Sequence, residues 1–310
     1  MSVGHEREGA FFGLGRISRW DSGGRVSERE LVSVIIPTYN RRELVREAVV
    51  SVLRQRYGAL EVIVVDDGSD DDTAAMVESM GGGVRCLRVS HGGVSRARNA
   101  GILASRGRWI AFLDSDDLWL PRKMSFQMQF FRDHPEYRIC QTEEVWIRNG
   151  RRVNPRKYHR KPQGHCFERL LERCLVSPSA VVLERSLLDE TGLFDENLPA
   201  CEDYDLWLRI GCRHSLGLIS KALVIKRGGH SDQLSGSLPG LDRWRIKALE
   251  KILTSGRLSE VQSVQALASL QVKCRVFGGG CLKRGRLDEG LEILGLPGRL
   301  ARALGIALDS

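Results

Sequence analysis

Three carboxylates stand close together in the stretch WIAFLDSDDLWLP, which runs from Trp109 to Pro121. Its apolar first half predicts a buried strand, and Asp114, Asp116 and Asp117 follow where that strand should end. Repulsion between close carboxylates is costly unless a cation, a basic side chain or a proton offsets it. Asp114 and Asp116 are two residues apart, so on an extended backbone they would point to one side. Such a pair suits a hard divalent cation that also holds phosphate oxygens.

A second carboxylate pair, Asp66 and Asp67, ends another apolar run, LEVIVVDD. An alternative is that these residues form the N-cap region of the next helix. Asp70 to Asp72 would then lie at the positive, N-terminal end of that helix, where negative charge is favourable. That alternative explains the later aspartates better than it explains Asp66 and Asp67. The DSDD stretch has its own alternative, a turn with a helix cap at Asp117, and a lone DxD is common in loops. A DxD that ends a strand opposite a second carboxylate pair indicates a site much more strongly.

From Leu31 onward, β-branched runs alternate with helical stretches. The successive segments are LVSVIIP, RRELVREAVVSVLRQ, LEVIVVDD, DDDTAAMVESM, VRCLRVS, GVSRARNAGILASR and RWIAFLD. This alternation predicts an α/β fold with a mainly parallel sheet that helices cover on both faces. Ligands of such sheets bind at the carboxyl ends of the strands, where PTYN and both carboxylate pairs lie.

The rest of the chain is less regular. Residues 1–30 have little periodicity and are predicted to be a flexible lead. Residues 135–178 combine a strand-like YRICQTEEVWI, a basic, turn-rich RNGRRVNPRKYHRKPQG and a helical CFERLLERC, which we interpret as an insertion facing a ligand. From Leu241 only amphipathic helices fit, including a predicted helical hairpin closed by a glycine-rich turn at FGGGC.

The charge of the chain limits the kinds of partner that it is expected to bind. The net charge of +8 and the isoelectric point near 9.2 favour an anionic partner: nucleic acid, lipid head groups or a phosphorylated small molecule. The basic run from Arg148 to Lys161 is typical of a solvated face or of nucleic-acid binding. Since no nucleic-acid-binding module accompanies it, we favour an acceptor-side loop for an anionic glycan, a lipid phosphate or a membrane surface.

Cysteine usage and hydropathy predict the compartment. The 8 cysteines include no CxxC pair, which argues against a zinc site or a disulfide framework. No apolar run approaches the roughly 18 residues that a membrane span needs. The sequence therefore predicts a cytoplasmic protein, and contact with the inner face of the membrane stays open.

The glycines form neither common phosphate-binding loop. There is no GxxxxGK[ST], and no GxGxxG follows the first strand, which disfavours P-loop enzymes and dinucleotide dehydrogenases. PTYNR follows that strand instead, and its Tyr39 fits either a stacking surface for a planar base or a half-buried packing aromatic.

Taken in order, these motifs resemble those of the family 2 glycosyltransferases, which have the GT-A (Rossmann-like) nucleotide-sugar-binding fold. The resemblance covers about Val32 to Ser235 and rests on VSVIIPTYNR, EVIVVDDGSDDDT, SRARNAG, WIAFLDSDDLWLP, GLFDENLPACEDYDLWLR and KRGGHSDQLS. It implies a GT-A domain over residues 31–238 with a helical C-terminal region over 239–310. It also implies inverting transfer of a sugar from a nucleoside-diphosphate sugar, with UDP favoured, to a hydroxyl of a glycan or lipid-linked acceptor. The QxxRW signature of processive synthases is absent, so we expect one transfer per encounter.

The resemblance also assigns residues. It implies that the nucleotide pocket contains Pro37, Thr38, Tyr39, Asp67, Arg98, Asn99 and Asp114. Within it, Tyr39 would lie against the base and Asp67 would accept a hydrogen bond from it. Asp116 would bind Mn²⁺ or Mg²⁺, with His230 near the diphosphate and the metal.

The resemblance further implies that Asp203 is the general base and that Glu202 positions the acceptor or Asp203. A metal neutralises a departing diphosphate, and a carboxylate base activates a hydroxyl acceptor.

Two other functions compete with this interpretation. One is a catalytically inert module that keeps the nucleotide pocket, against which the intact Asp116 and Asp203 argue. The other is a nucleotidyltransferase on a similar sheet, which would need a glycine-rich basic loop where VSVIIPTYNR stands.

Overall fold

A computed structural model describes residues 30–154, 156–229 and 240–307, and over the first half of the chain strands alternate with helices. The strands are β1 (Val32–Thr38), β2 (Leu60–Asp66), β3 (Val84–Arg88), β4 (Trp109–Phe112), β5 (Leu118–Trp119), β6 (Ile139–Arg148), β7 (Arg151–Val153), β8 (Val181–Glu184) and β9 (Gly217–Gly228). The helices are α1 (Arg42–Leu53), α2 (Thr73–Ser79), α3 (Val94–Ala104), α4 (Lys123–Asp133), α5 (Phe167–Glu172), α6 (Arg185–Thr191), α7 (Glu202–Gly211), α8 (Leu241–Thr254), α9 (Glu260–Lys283) and α10 (Leu287–Leu304). The predicted elements from β1 to β4 are all confirmed.

These strands form one sheet in the order β3-β2-β1-β4-β8-β6-β9-β5, and β7 pairs with β6. The first four strands are parallel to one another. Beyond β4 the sheet is mixed, because β8 is antiparallel to both β4 and β6 whereas β9 is parallel to β6. The α/β fold class is confirmed, and its parallel part is the half that carries the predicted site.

Side chains that alternate along β1 enter two different hydrophobic clusters. Val34 and Ile36 pack with α1, α2 and α4 on one face of the sheet. Ile35 points to the other face, where one cluster joins α3 to α5, α6, α7 and all three C-terminal helices. All three β1 side chains are fully buried, and burial of such a side chain is worth about 1.5–3 kcal/mol. Helices therefore cover both faces, as the unbroken apolar runs predicted.

The basic segment after β6 differs from the predicted loop. Residues Arg151–Val153 form β7, which pairs antiparallel with β6 through Trp146 and Val153. Asn149 and Gly150 connect the two strands, with φ of 49° and 73°. An Asn-Gly pair with positive φ at both positions is typical of a two-residue hairpin turn, so the sequence contained a signal for this strand.

The predicted C-terminal hairpin is confirmed, but its turn lies elsewhere. The glycines of FGGGC are inside α9, and the chain reverses at Gly285, which has a φ of 75°. Gly278 lies where α9 meets α10, and a Cβ there would come within 2.8 Å of Leu294 Cγ and 3.1 Å of the Gly290 carbonyl oxygen. Gly278 therefore permits close approach of the two helices, and none of the three glycines forms the turn.

The structure also describes the cysteines and the hydropathy of the helices. All eight cysteines lie within the described residues, and none is in a disulfide. In the described ranges, no helix is long and apolar enough to cross a membrane.

Candidate active site

The carboxyl ends of β1 and β2 are adjacent, since Thr38 pairs with Asp66. Hydrogen bonds join the two loops that follow. The backbone N–H of Asn40 donates to Ser69 Oγ over 2.8 Å, and Asn40 Oδ1 accepts from the N–H of Asp70 over 2.8 Å. Asn40 has a φ of 50°, a conformation that asparagine tolerates better than most residues. The two loops consequently form one fixed wall of the site.

Asp67 organises the loop after β3. Its Oδ1 accepts from the N–H of Gly92 over 2.9 Å, and its Oδ2 accepts from the N–H of Gly93 over 2.8 Å. The His91 ring lies beside it, with Nδ1 3.0 Å from Asp67 Oδ2. Gly68 allows this approach, because a Cβ there would lie 2.9 Å from the backbone nitrogen of His91. The predicted hydrogen bond from Asp67 to a base would have to use the remaining lone pairs of this carboxylate.

Tyr39 stands at the open side of the same wall. Its side chain is 40% exposed, and its ring lies 4.3 Å from the His91 ring, centroid to centroid, at an angle of 32°. Pro37 and Thr38, also predicted for the nucleotide pocket, are buried in β1. Thr38 Oγ1 is a buried atom without a hydrogen-bond partner among the described residues. His91 was missed because no motif marks it; only the β3–α3 loop brings it to Tyr39.

Arg98 joins the two carboxylate motifs that the chain keeps far apart. It projects from α3, where it is buried, and its guanidinium donates to Asp114 Oδ1 over 2.8 Å and to Glu202 Oε1 over 2.6 Å. Burial alone would lower the pKa of Arg98, but the two carboxylates raise it above its ordinary value. The end of β4 and the start of α7 are thus held together by one buried cation.

Asp114 and Asp116, the two carboxylates of the DxD motif, differ in their electrostatic surroundings. Burial would raise the pKa of Asp114, but the Arg98 and Lys226 charges outweigh it and hold that pKa below its usual value. The pKa of Asp116 is raised by burial and by the charge of Asp114, which the nearby Arg41 guanidinium opposes. Arg41 Nη1 lies 3.3 Å from Asp116 Oδ2. Of these two carboxylates, Asp116 is therefore the one whose negative charge is less compensated.

Asp117 has a structural role. Its Oδ2 accepts from Ser179 Oγ over 2.7 Å, and its Oδ1 accepts from the N–H of Arg227 over 3.0 Å. The helix-cap alternative for Asp117 is wrong, because the chain continues into β5 and the next helix begins at Lys123. Burial raises the pKa of Asp117 to about 8, opposed by Lys226 and supported by the neighbouring aspartates.

The donor set at this edge fits a divalent cation. Among the described residues, no group of three or more His, Cys, Asp and Glu side chains could hold a metal by itself. Mg²⁺, however, is usually held by one or two carboxylates together with substrate phosphates, and Asp114 and Asp116 supply two. Burial raises the pKa of Asp116, and so does the charge of Asp114, which is a repulsion that a cation would relieve. The predicted ligand His230 lies outside the described residues.

Glu202 and Asp203 begin α7, as the sequence predicted, but they face different surroundings. Glu202 is buried against Arg98, and burial together with the Asp203 charge raises its pKa to about 6. Asp203 lines an open cavity of about 580 Å³, which Glu202 does not line. The preceding Cys201 has a φ of 61°, a conformation that is uncommon outside glycine. Because successive residues of a helix point about 100° apart, the two neighbouring carboxylates of α7 face different sides.

Cys174 is a site residue that the sequence did not reveal. Its thiol donates to Asp203 Oδ2 over 3.0 Å. Burial and the Asp203 charge raise the pKa of Cys174 well above its ordinary value, so the sulfur keeps its proton. The second oxygen of Asp203 accepts from the N–H of Tyr204 over 2.7 Å, and the carboxylate orientation is thereby fixed.

Asn99 anchors the loop before α7. Its Nδ2 donates to the carbonyl oxygen of Phe194 over 2.9 Å and to Glu196 Oε1 over 2.8 Å, and its Oδ1 accepts from the N–H of Phe194 over 3.1 Å. The predicted position of Asn99 near the nucleotide stays a prediction.

Lys226 was also missed, although it lies near the end of the predicted strand ALVIKR. Its Nζ donates to Ser177 Oγ over 3.0 Å and lines the cavity together with Asp203. Burial would lower the pKa of Lys226, but the charges of Glu144, the DSDD aspartates and Asp203 raise it above its ordinary value. Lys226 therefore carries positive charge between the DSDD motif and the cavity.

Comparison with known proteins identifies the family. The sequence profile described as "Glycosyl transferase family 2" matches residues 33–191, which is just over half of the chain. The chain belongs to this family, and the resemblance read from the motifs is confirmed.

Two curated relatives illustrate the similarity. An uncharacterized glycosyltransferase of Rickettsia bellii (strain RML369-C) is 34% identical over 200 residues, which cover 62% of this chain and 28% of that protein. An Escherichia coli protein named UDP-Glc:alpha-D-GlcNAc-diphosphoundecaprenol beta-1,3-glucosyltransferase WfgD is 34% identical over 202 residues, covering 64% of this chain and 76% of the relative. The chain thus spans less than a third of the Rickettsia protein.

Solved structures share the fold. Staphylococcus aureus TarS 1-349 in complex with UDP-GlcNAc superposes with a TM-score of 0.71 at 20% identity, covering 87% of this chain and 81% of the other. The mannosyltransferase PcManGT from Pyrobaculum calidifontis, in complex with GDP-Man and Mn²⁺, gives a TM-score of 0.53 at 18% identity, covering 92% and 84%. These likenesses confirm the GT-A fold.

Proposed function

We propose that this protein transfers a sugar from a nucleoside-diphosphate sugar to a hydroxyl group, with inversion, with a divalent metal and without processivity. The observation that carries the proposal is the buried Arg98, which contacts Asp114 of the DSDD motif and Glu202 beside the candidate base. One cation thereby brings the donor side and the acceptor side of a transfer reaction together. Family membership supports the reaction class.

On the donor side, Asp116 and Asp114 would hold Mn²⁺ or Mg²⁺ together with the two phosphates. The metal, when bound, supplies positive charge that neutralises the departing diphosphate. Lys226 and Arg41 add positive charge at the same edge. We keep His230 as a predicted neighbour of the diphosphate.

On the acceptor side, the carboxylate of Asp203 would take the proton of the attacking hydroxyl. The Cys174 thiol orients this carboxylate by a hydrogen bond. A single displacement inverts the anomeric carbon and needs only one base. Glu202 is engaged by Arg98, so we assign it the positioning of α7 and, through it, of Asp203.

The nucleotide would bind at the wall formed by the loops after β1, β2 and β3. Tyr39 offers an exposed ring backed by His91, and base stacking on such rings contributes about 1–3 kcal/mol per base. Pro37, Thr38, Asp67, Arg98 and Asn99 would complete the pocket. UDP is favoured, since WfgD is named for UDP-Glc and TarS is described with UDP-GlcNAc.

Calorimetry tests this pocket. UDP should bind more tightly than GDP to the wild type, and Tyr39→Ala should weaken UDP binding by about 1–3 kcal/mol through loss of the stack. Tyr158→Ala removes an exposed tyrosine outside the wall and is the matched control. Equal UDP affinity of Tyr39→Ala and the wild type would reject this pocket.

The acceptor would be a glycan or a lipid-linked sugar in cell-surface polysaccharide or glycolipid synthesis. WfgD, whose name gives a diphosphoundecaprenol-linked acceptor, supports this assignment. We propose that the protein works in the cytoplasm, at the inner membrane face, and has no nucleic-acid partner. The exposed valines of α9, Val261, Val264, Val272 and Val276, offer a contact with lipid, which flotation with anionic vesicles would test against a Val272→Gln variant.

The decisive experiment is a donor screen. The purified protein is incubated with UDP- and GDP-sugars, Mn²⁺ and a sugar-diphosphate-lipid acceptor, and release of nucleoside diphosphate is measured with and without EDTA. We expect one UDP-sugar to be turned over with acceptor and Mn²⁺ and EDTA to stop the reaction. If nucleotides bind but no sugar nucleotide is consumed, even by slow hydrolysis, the inert nucleotide-binding module is the better description.

A further inference from the structure

We infer that the cavity beside Asp203 contains an anion-binding subsite formed by Arg173, Arg245 and Lys273, which takes a phosphate or diphosphate group of the acceptor. This inference rests on the proposed function, because it treats the cavity as the acceptor side of the reaction. The cavity has a volume of about 580 Å³, enough for a sugar with an attached phosphate group, and Asp203 lies on its wall.

The three cations come from three different elements. Arg173 directly follows α5, Arg245 belongs to α8 and Lys273 to α9, and all three line the same cavity as Asp203. Two of the three therefore lie outside residues 33–191, the part of the chain that the family profile matches. The C-terminal helices complete the acceptor cavity.

Two of the three cations lack a carboxylate partner within the described part of the chain. The Arg173 guanidinium lies 4.3 Å from the centre of the Tyr158 ring, and no ion pair links it to any described acidic side chain. Lys273 Nζ donates to the backbone carbonyl oxygen of Glu172 over 2.8 Å. The Glu172 carboxylate itself pairs with Arg169, outside this cluster.

Arg245 has one carboxylate partner, Asp242, at 2.9 Å from Nη1. The Nε atoms of Arg173 and Arg245 are nevertheless both buried and have no acceptor among the described residues. A buried guanidinium N–H without an acceptor is costly, and phosphate oxygens are the acceptors that guanidinium groups bind best.

The other lysines of the cavity are already neutralised. Lys161 Nζ lies 3.1 Å from Glu144 Oε1, and the positive charge of Lys226 is balanced by Glu144 and the aspartates around it. Among the described residues, the cavity cations without a carboxylate partner, Arg173 and Lys273, thus lie in the part of the cavity between α5, α8 and α9, together with Arg245 and its partner Asp242. There, burial lowers the pKa of Lys273, and so do the charges of Arg245 and Arg173, against the opposing charge of Asp242, so both guanidinium groups repel this lysine. A bound anion would remove this repulsion.

This subsite is separate from the one proposed for the donor diphosphate. The donor phosphates would lie at Asp114 and Asp116, neither of which lines the cavity. An acceptor that reaches Asp203 with a hydroxyl could therefore direct its phosphate toward Arg173 and Lys273. Trp146 and His159 also line the cavity, 5.0 Å apart between ring centres, and offer a surface for the sugar between these ends.

A binding experiment tests the subsite without any assay of transfer. Inorganic pyrophosphate is titrated by calorimetry in EDTA into the wild type, Arg173→Gln, Lys273→Gln and the control Arg275→Gln. Arg275 is an exposed cation on α9, so its variant makes the same change of charge on the same helix. Glutamine can still donate to the Glu172 carbonyl oxygen, which protects the fold in Lys273→Gln.

We expect Arg173→Gln and Lys273→Gln each to weaken pyrophosphate binding by about 10-fold, the scale of a charge-assisted hydrogen bond. Arg275→Gln should stay within about 2-fold of the wild type, since an exposed charge is screened by salt. Equal affinities for all four proteins, or an equal loss in Arg275→Gln, would overturn the subsite. This result does not depend on turnover, so failure of the proposed function and failure of the subsite can be told apart.

The transfer assay then distinguishes the source of the phosphate. A sugar linked through diphosphate to a polyprenyl chain, the same sugar diphosphate without lipid, and an alkyl glycoside of the sugar are compared as acceptors. We expect Lys273→Gln to raise KM about 10-fold for both diphosphates while KM for the alkyl glycoside and the donor stays unchanged. A lower KM for the polyprenyl-linked sugar diphosphate than for the lipid-free one identifies a lipid-linked acceptor. Equal KM values for the two identify a soluble phosphorylated glycan. A rise in KM for the alkyl glycoside of the same size would contradict phosphate recognition.

Discussion

Two adjacent carboxylates at the start of α7 lie in different surroundings. Glu202 is buried and paired with Arg98, whereas Asp203 lines the cavity and receives a hydrogen bond from Cys174. A general base must reach the acceptor hydroxyl, and of these two only Asp203 faces open space. The neighbouring Asp205 is buried and pairs with Arg209 and Lys251, so its role is structural.

The first prediction concerns this pair. Asp203→Asn should lower turnover by about 10²–10⁴-fold with little change in donor KM, since the base acts on the acceptor. Glu202→Gln should lower turnover less and should instead lower the free energy of unfolding, because it removes one partner of a buried ion pair. A transfer assay and urea denaturation on both variants, with Asp205→Asn as the structural control, provide the measurement. An active Asp203→Asn beside an inactive Glu202→Gln would assign the base to Glu202.

The second prediction concerns Asp116. Asp116→Asn should abolish metal-dependent transfer and leave the free energy of unfolding unchanged or higher, because it removes repulsion from Asp114. Asp114→Asn should lower that free energy, since it weakens the contact with Arg98. Transfer with Mn²⁺ and with EDTA, together with urea denaturation, checks both. Near-normal transfer by Asp116→Asn in EDTA would refute metal binding at this residue.

At the scale of elements, the contact between α9 and α10 depends on glycine. A Cβ at Gly278 would come within 2.8 Å of Leu294 Cγ, whereas one at the next residue, Gly279, would meet nothing within 4 Å. Helix propensity favours alanine over glycine equally at both positions. The two positions therefore separate close packing from intrinsic propensity.

The third prediction follows from this pair. Gly279→Ala should raise the free energy of unfolding by about 0.5–1 kcal/mol. Gly278→Ala should lower it, because overpacking costs about 1–3 kcal/mol and outweighs the gain in propensity. Thermal and urea denaturation of the two variants give the comparison. Equal stabilisation by both would mean that the helices do not approach closely at Gly278.

At the scale of the whole molecule, the free energy of unfolding should depend on a buried lysine. Lys123 of α4 is fully buried, donates to Gln127 Oε1 over 2.6 Å and lies 3.9 Å from the centre of the Trp119 ring. Burial lowers the pKa of Lys123 to about 7. In the unfolded chain this lysine has its ordinary pKa of about 10.4.

The fourth prediction is the resulting pH dependence. Between these two pKa values the unfolded chain holds a proton on Lys123 that the folded protein lacks, so this lysine adds a positive slope of up to about 1.4 kcal/mol per pH unit to the free energy of unfolding. Below pH about 7 both states are protonated and this contribution disappears. Asp117, whose pKa is raised to about 8, adds a slope of the opposite sign below that pH, so the contribution of Lys123 is the difference in slope between the wild type and Lys123→Met. Lys123→Met should lower the slope by that contribution, while Lys283→Met, which replaces an exposed lysine, should leave it unchanged. Urea denaturation from pH 6 to pH 10 tests this, and an unchanged slope in Lys123→Met would contradict it.

The sequence by itself determined the order of strands and helices, because the periodicities of 2 and 3.6 residues are local properties of the chain. It also determined where the polar motifs lie, since carboxylates after apolar runs mark the ends of strands. Even the strand β7 had its local signal in Asn149 and Gly150. The alternative of a helix cap at Asp117 and the prediction of a turn at FGGGC were wrong because packing between distant elements decided both.

Only the tertiary structure decided how these elements meet. Arg98 joins Asp114 to Glu202, and Cys174 orients Asp203, across sequence separations that no local pattern records. The three cations of the proposed anion subsite come from the end of α5, from α8 and from α9, and only the packed molecule brings them to one cavity and leaves Arg173 and Lys273 without a carboxylate partner among the described residues. Periodicity indicates which face of an element is buried, but the partner of that face is selected by shape and charge in three dimensions.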